Sequence, residues 1–99
     1  MDPLAHANHP AYVDWADEAL SRRMARAGLD PHRLEPVAED LLFRSGVVAP
    51  ETVTIKAQRL GHDPRDPSVT VVAVTFLGSD GRVCAEGTVW RRGLGSALD

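Results

Sequence analysis

Five side chains able to do chemistry fall close together at the start of the chain: Asp2, His6, Asn8, His9 and Tyr12. A carboxylate can act as a general base or attack as a nucleophile. An imidazole can move a proton near neutral pH. Each residue also has a plainer reading. Asp2 near a terminus is ordinarily a solvated carboxylate, Asn8 or His9 can cap a helix, and Tyr12 can belong to a core.

These residues lead into a helix that must position them. Pro10 suits a first turn, where its missing N–H would have no intrahelical partner. Tyr12, Ala16, Leu20 and Met24 recur every fourth residue, and Trp15, Ala19 and Ala27 widen the stripe, so one face is apolar. Asp14, Asp17 and Glu18 lie in the first half and Arg22, Arg23 and Arg26 in the second, in the sense the helix dipole favours. Glu18 and Arg22 stand at i, i+4 in the favourable order. Gly28 is the expected stop.

A chain of 99 residues makes one domain, large enough for a single core, here taken as residues 1–92 with 93–99 as a frayed tail. At 43% hydrophobic and 25% charged it is too apolar for a disordered chain. A net charge of −3 gives no general basic field, which argues against nucleic acid as a partner. A single cysteine excludes an intrachain disulfide and suits a reducing compartment. The sequence has no membrane-length apolar run and no basic-then-apolar leader, so a cytoplasmic location without a membrane partner is expected.

After the helix, Leu29 to Pro36 reads as a connector, because Pro31 and Pro36 rule out a continued helix. Val37 to Arg44 alternates loosely, with Ser45–Gly46 as a possible bend. Thr52 to Leu60 alternates cleanly, with Val53, Ile55 and Ala57 facing in. Residues 61–67 (GHDPRDP) read as a loop. Val69 to Leu77 is nearly continuous β-branched and aromatic, the mark of a central strand covered on both faces. Gly78 to Gly81 makes a hairpin turn, and Val83 to Trp90 completes the hairpin. The expected architecture is α+β: one long helix laid across a curved sheet of four antiparallel strands. Ala73, Ala85 and Gly87 would let the helix approach closely. The outermost strands expose backbone groups, so pairing with a second subunit is a natural expectation.

The lead-in, D-x-x-x-H-x-N-H-x-x-Y (Asp2, His6, Asn8, His9, Tyr12), resembles the motif that opens the helix in hot-dog-fold acyl thioesterases, the 4-hydroxybenzoyl-CoA thioesterase superfamily. The likeness continues through Trp15, Asp17 and Ala19, through Ala27 and Leu29, through Phe43, Arg44, Val47 or Val48, Pro50 and Val53, and along Asp80 to Arg91. It thus covers nearly the whole chain. Each motif alone is weak; their order and spacing together are fairly specific.

The resemblance implies a long central helix wrapped by a curved sheet, and hydrolysis of acyl-CoA or acyl-carrier-protein thioesters. It implies Asp2 as base or nucleophile, and His6 or His9 positioning substrate or assisting a proton transfer. Asn8, Ala11 and Tyr12 would form the substrate site, with N–H groups and the helix dipole holding the oxyanion. It also implies a homodimer or homotetramer, with the Val37–Arg44 strand as the edge.

Two departures stand out. Family members usually have a strand before the aspartate, whereas Asp2 follows Met1 directly, so the usual first strand is expected to be missing. The lead-in also mixes the Asp…His-x-x-Tyr pattern of acyl-CoA enzymes with the H-x-N-N of acyl-ACP and broad acyl-CoA types. The further acidic residue of plant acyl-ACP enzymes would fall near Gly46 and is not reproduced. A hot-dog hydratase would need a different Asp-to-His spacing.

Other candidates carry less. His6 and His9 with His32 and His62 have no well-spaced cysteine or acidic ligand, so neither a metal nor another cofactor is expected. Cys84 alternates with core positions and reads as a small buried hydrophobe. Glu39 is a lesser candidate carboxylate at a rim or interface. Arg91 and Arg92 could touch CoA phosphates or an acidic carrier protein, a solvated chain end being the default. Three function classes follow: a thioesterase, a non-catalytic hot-dog module that binds acyl thioesters, and a shortened domain used only for assembly.

Overall fold

The stripe read from the sequence forms the middle of the core: Tyr12, Ala16, Leu20 and Met24 are all buried. In the computed structural model, which describes residues 9–45 and 52–98, they lie on helix α1 (His9–Arg26). Four strands follow: β1 (Glu35–Phe43), β2 (Thr54–Asp63), β3 (Asp66–Leu77) and β4 (Val83–Arg92). They form one antiparallel sheet in the order β1-β4-β3-β2, so β1 and β2 are its edges. Among the described residues, no helix is long and apolar enough to cross a membrane.

Helix α1 ends where a left-handed residue closes it. Gly28 takes φ +78°, its N–H donates to the Ala25 carbonyl at 3.1 Å, and the Leu29 N–H donates to the Met24 carbonyl at 2.9 Å. This paired closure satisfies carbonyls the last turn would leave open, and glycine takes the conformation without a Cβ penalty. The connector then makes one 3-10 turn, Pro31–Arg33, capped by Asp30, whose carboxylate accepts from the His32 N–H at 3.0 Å. Pro36 belongs to β1, on an edge where a missing N–H is tolerated.

The helix covers one face of the sheet. Val72, Val74 and Phe76 of β3 and Ala85 and Val89 of β4 are buried beneath it, while Val71, Ala73 and Thr75 on the opposite face stay half-exposed. The central strand is therefore covered on one face, not two, and its apolar outer residues meet no second layer among the described residues. Val53, Ile55 and Ala57 pack against the core, as the alternation predicts. Ala85 sits in register between Phe43 and Phe76. The close approach at Gly87 belongs to β1 and not to the helix: an added Cβ would lie 2.0 Å from the Asp40 carbonyl oxygen. Ala73 lies on the outer face and takes no part in helix packing.

Two further sequence readings are corrected. Residues 61–67 are mostly strand: β2 runs through Asp63 and β3 starts at Asp66, leaving Pro64 and Arg65 at the turn. Pairing survives the punctuating residues through register shifts near Gly61 and Asp63. The chain's end does not fray across its length. β4 extends to Arg92, and Leu94 and Ala97 are buried in the core.

Candidate active site

Tyr12 fixes the first half of α1 against the sheet. Its buried ring meets Trp15 at 5.3 Å, Phe43 at 5.0 Å and Phe76 at 5.2 Å, the last nearly perpendicular. Edge-to-face contacts of this kind add to the burial of the rings themselves. The start of α1 is thus held against β1 and β3, and the positive end of its dipole has a defined place.

Of the expected site residues, Asp2, His6 and Asn8 lie outside the described residues, so their juxtaposition with the helix is not seen. His9 is the first residue of α1. Ala11 and Tyr12 lie in the first turn, at the helix's positive end. The Tyr12 side chain is core.

Beside the helix runs an open groove of about 300 Å³ lined by Trp15, Glu18, Ala19 and Arg22 of α1, with Val53 and Ile55. Its floor is apolar, and its polar members are an exposed ion pair, Arg22 Nη2 to Glu18 Oε1 at 2.5 Å. The sequence reading treated Glu18 and Arg22 only as helix partners. The signal was present: Trp15, Glu18, Ala19 and Arg22 share one helical stripe, next to the buried one.

The other polar assembly is a buried cation. Arg91 is fully buried and donates through Nε to Asp17 Oδ1 at 2.6 Å and through Nη1 to Glu39 Oε2 at 2.8 Å. Nη1 also reaches the carbonyls of Ala38 at 3.0 Å and Trp90 at 2.9 Å. Arg92 pairs with Glu35 and, at 2.8 Å, with Asp66. Both arginines are engaged by carboxylates of this chain, which corrects the reading of the pair as a solvated end or a phosphate contact. Glu39 holds Arg91 and is not a carboxylate waiting for a substrate.

The Ser68 hydroxyl and then Arg92 hold the Asp66 carboxyl down to about 2. Cys84 is buried and is not placed as a nucleophile. No group of three or more His, Cys, Asp or Glu side chains among the described residues could hold a metal ion.

Neither a protein-family model nor a curated protein matches this sequence. Solved structures do. A Thermus thermophilus thioesterase complexed with coenzyme A and zinc is 16% identical, with TM-score 0.77 over 93% of this chain and 73% of that one. A gentisyl-coenzyme A thioesterase is 19% identical, with TM-score 0.75 over 93% of this chain and 77% of that one. A hypothetical thioesterase with coenzyme A from Streptococcus pneumoniae is 14% identical, with TM-score 0.71 over 93% of this chain and 69% of that one. One helix packed on a four-stranded antiparallel sheet, matched to these structures over nearly its whole length, gives this chain the hot-dog fold of the thioesterases.

Proposed function

We propose that the protein hydrolyses acyl thioesters of coenzyme A or of an acyl-carrier protein. One observation carries this reading: the fold matches thioesterases over 93% of the chain, two of them holding coenzyme A. The thioester oxygen lies at the positive end of α1, beside Ala11 and Tyr12, where the helix dipole stabilises the developing oxyanion. Pro10 has no N–H to give.

Asp2 takes a proton from water as the oxygen adds to the carbonyl carbon. The C–S bond breaks as the adduct collapses, and His6 or His9 supplies the proton the leaving thiolate takes up. Alternatively Asp2 attacks the carbon itself and expels the thiolate, and water then hydrolyses the resulting anhydride. Asn8 helps to hold the substrate. The active form is a homodimer joined along β1, with the site between subunits and the protein in the reducing cytoplasm. Val37, Leu42 and Phe43, all exposed on that edge strand, support the pairing.

Release of free thiol from acyl-CoA and acyl-carrier substrates tests the reading. Asp2→Asn keeps size and hydrogen bonding and removes the base or nucleophile, so turnover falls by roughly a hundredfold or more. Full activity in Asp2→Asn, or no hydrolysis of any acyl thioester, overturns it. A binding module is then the better account.

A further inference from the structure

The arginines of this protein divide sharply. Arg22, Arg44, Arg65, Arg82, Arg91 and Arg92 each meet a carboxylate, and Arg59 donates to the Gly95 carbonyl. Arg23, Arg26 and Arg33 meet no carboxylate among the described residues. All three lie at one end of the molecule, on the last turns of α1 and the 3-10 turn packed beside it. From Arg23 to Arg33 the chain holds three arginines against one aspartate, a formal +2 in a chain whose total is −3. Asp30, the one acid there, accepts from the His32 N–H and acts on Arg33 only at longer range.

The helix dipole accounts for part of this. Cations in a last turn are favoured, but the effect fades beyond the helix end, and Arg33 stands outside it. Arg26 and Arg33 are exposed, and Arg23 is half-buried. Burial therefore does not explain the cluster either.

We infer that this basic end is a docking surface for an acidic protein, and specifically for the carrier that presents the acyl thioester on a flexible arm. The inference rests on the thioesterase reading and adds the partner's surface to it. The charges stand on two separate elements, spaced roughly 5–6 Å apart along the helix. That spacing suits carboxylates distributed over a partner's surface. A nucleotide phosphate instead takes convergent donors in a concave site.

A path also connects this end to the proposed reaction site. Ala11, Trp15, Glu18 and Ala19, Arg22 and Arg26 fall at i, i+4, i+7 and i+8, i+11 and i+15, one stripe of α1. The groove follows that stripe from Trp15 to Arg22 over the apolar floor of Val53 and Ile55. From Arg23 to Ala11 the helix rises about 18 Å, comparable to an extended pantetheine arm. A carrier held at Arg23, Arg26 and Arg33 thus lays its arm along the groove toward the helix N-terminus.

The test compares one acyl group carried on coenzyme A and on an acidic acyl-carrier protein, in the parent protein and in the double variant Arg26→Glu/Arg33→Glu. Lys56→Glu/Arg82→Glu, on β2 and in the β3–β4 turn toward the opposite end of the sheet, is the charge-matched control. In the double variant, KM for the acyl-carrier substrate rises about tenfold or more, while KM for acyl-CoA stays within about twofold. Fluorescence anisotropy of labelled carrier protein reads the same loss without turnover, and raising the salt weakens binding to the parent but hardly to the double variant. Because anisotropy needs no hydrolysis, a failure of the enzyme reading leaves this arm intact. Unchanged carrier binding in the double variant overturns the inference. So does an equal loss toward acyl-CoA, which marks a phosphate site, and so does a parent protein that binds no carrier.

Discussion

Arg91 and Asp17 meet at 2.6 Å across 74 residues of chain, with the guanidinium wholly buried and the carboxylate 28% exposed. The same guanidinium reaches Glu39, 29% exposed, on the edge strand. One side chain of β4 therefore ties the middle of α1 to β1. A buried cation is costly unless paired and hydrogen-bonded, and here four acceptors surround it. The contact sets where α1 crosses the sheet, and so where its N-terminal end lies.

Arg91→Ala removes the cation and leaves two carboxylates facing a void. The expected loss in urea unfolding is about 3–5 kcal/mol. Arg91→Lys recovers less than half of it, because one ammonium cannot reach Asp17, Glu39 and two carbonyls together. Asp17→Asn costs about 1–2 kcal/mol, since its carboxylate is partly solvated. An Arg91→Ala loss below about 1 kcal/mol would show that the guanidinium is a passive filler.

Gly87 decides how closely β1 approaches β4. A methyl group there would lie 2.0 Å from the Asp40 carbonyl oxygen and 2.8 Å from the Leu41 Cα, both backbone atoms. The strand must shift, so Gly87→Ala is expected to cost about 1–3 kcal/mol. Amide exchange across β1 should quicken more than exchange in β3. Equal effects in both strands would place the strain elsewhere.

The helix was legible because its evidence is local. A four-residue stripe and a terminal glycine specify a buried face and a stop, and Tyr12, Met24 and Gly28 behave accordingly. The strands were legible from alternation, except where Gly61, Pro64 and Pro67 suggested a loop. Pairing with β3 carries the ladder almost to the turn despite them. Arg91 was misread because its burial depends on Asp17 and Glu39, far away in sequence. Leu94 and Ala97 fill space beside the helix that only the folded sheet defines. Of the candidate site, the described residues include only the helix start, with His9, Ala11 and Tyr12. The groove was missed because Glu18 and Arg22 satisfy each other so plainly as a helical pair.

Acid should loosen the end of the sheet where Arg92 joins Glu35 to Asp66. The Ser68 hydroxyl, and after it Arg92, hold Asp66 at about 2, below its ordinary 3.8. A lowered folded-state value means that the stabilisation is present above the unfolded value and is lost as pH falls through the folded one. The thermal midpoint of the parent should therefore fall more steeply than that of Asp66→Asn between about pH 4 and pH 2. At neutral pH the variant should melt lower, and near pH 2 the two should converge. Parallel curves throughout would remove Asp66 from the account of acid sensitivity.

The last prediction concerns the edge. Leu42 is 54% exposed and Val37 46%, on a strand whose outer backbone groups no other described strand pairs. Apolar side chains beside an open ladder are what a second copy would cover. The parent protein is therefore expected to sediment as a dimer at micromolar concentration, or as a tetramer built from such dimers. Leu42→Glu places like charges at that junction without touching the Tyr12 cluster, so a folded monomer should result, with an unchanged far-ultraviolet spectrum. If the site lies between subunits, thiol release should fall in step with the dimer fraction and recover as protein concentration rises. A well-folded parent that sediments as a monomer would overturn the pairing. A Leu42→Glu monomer with full turnover per chain would keep the dimer but place the whole site within one copy.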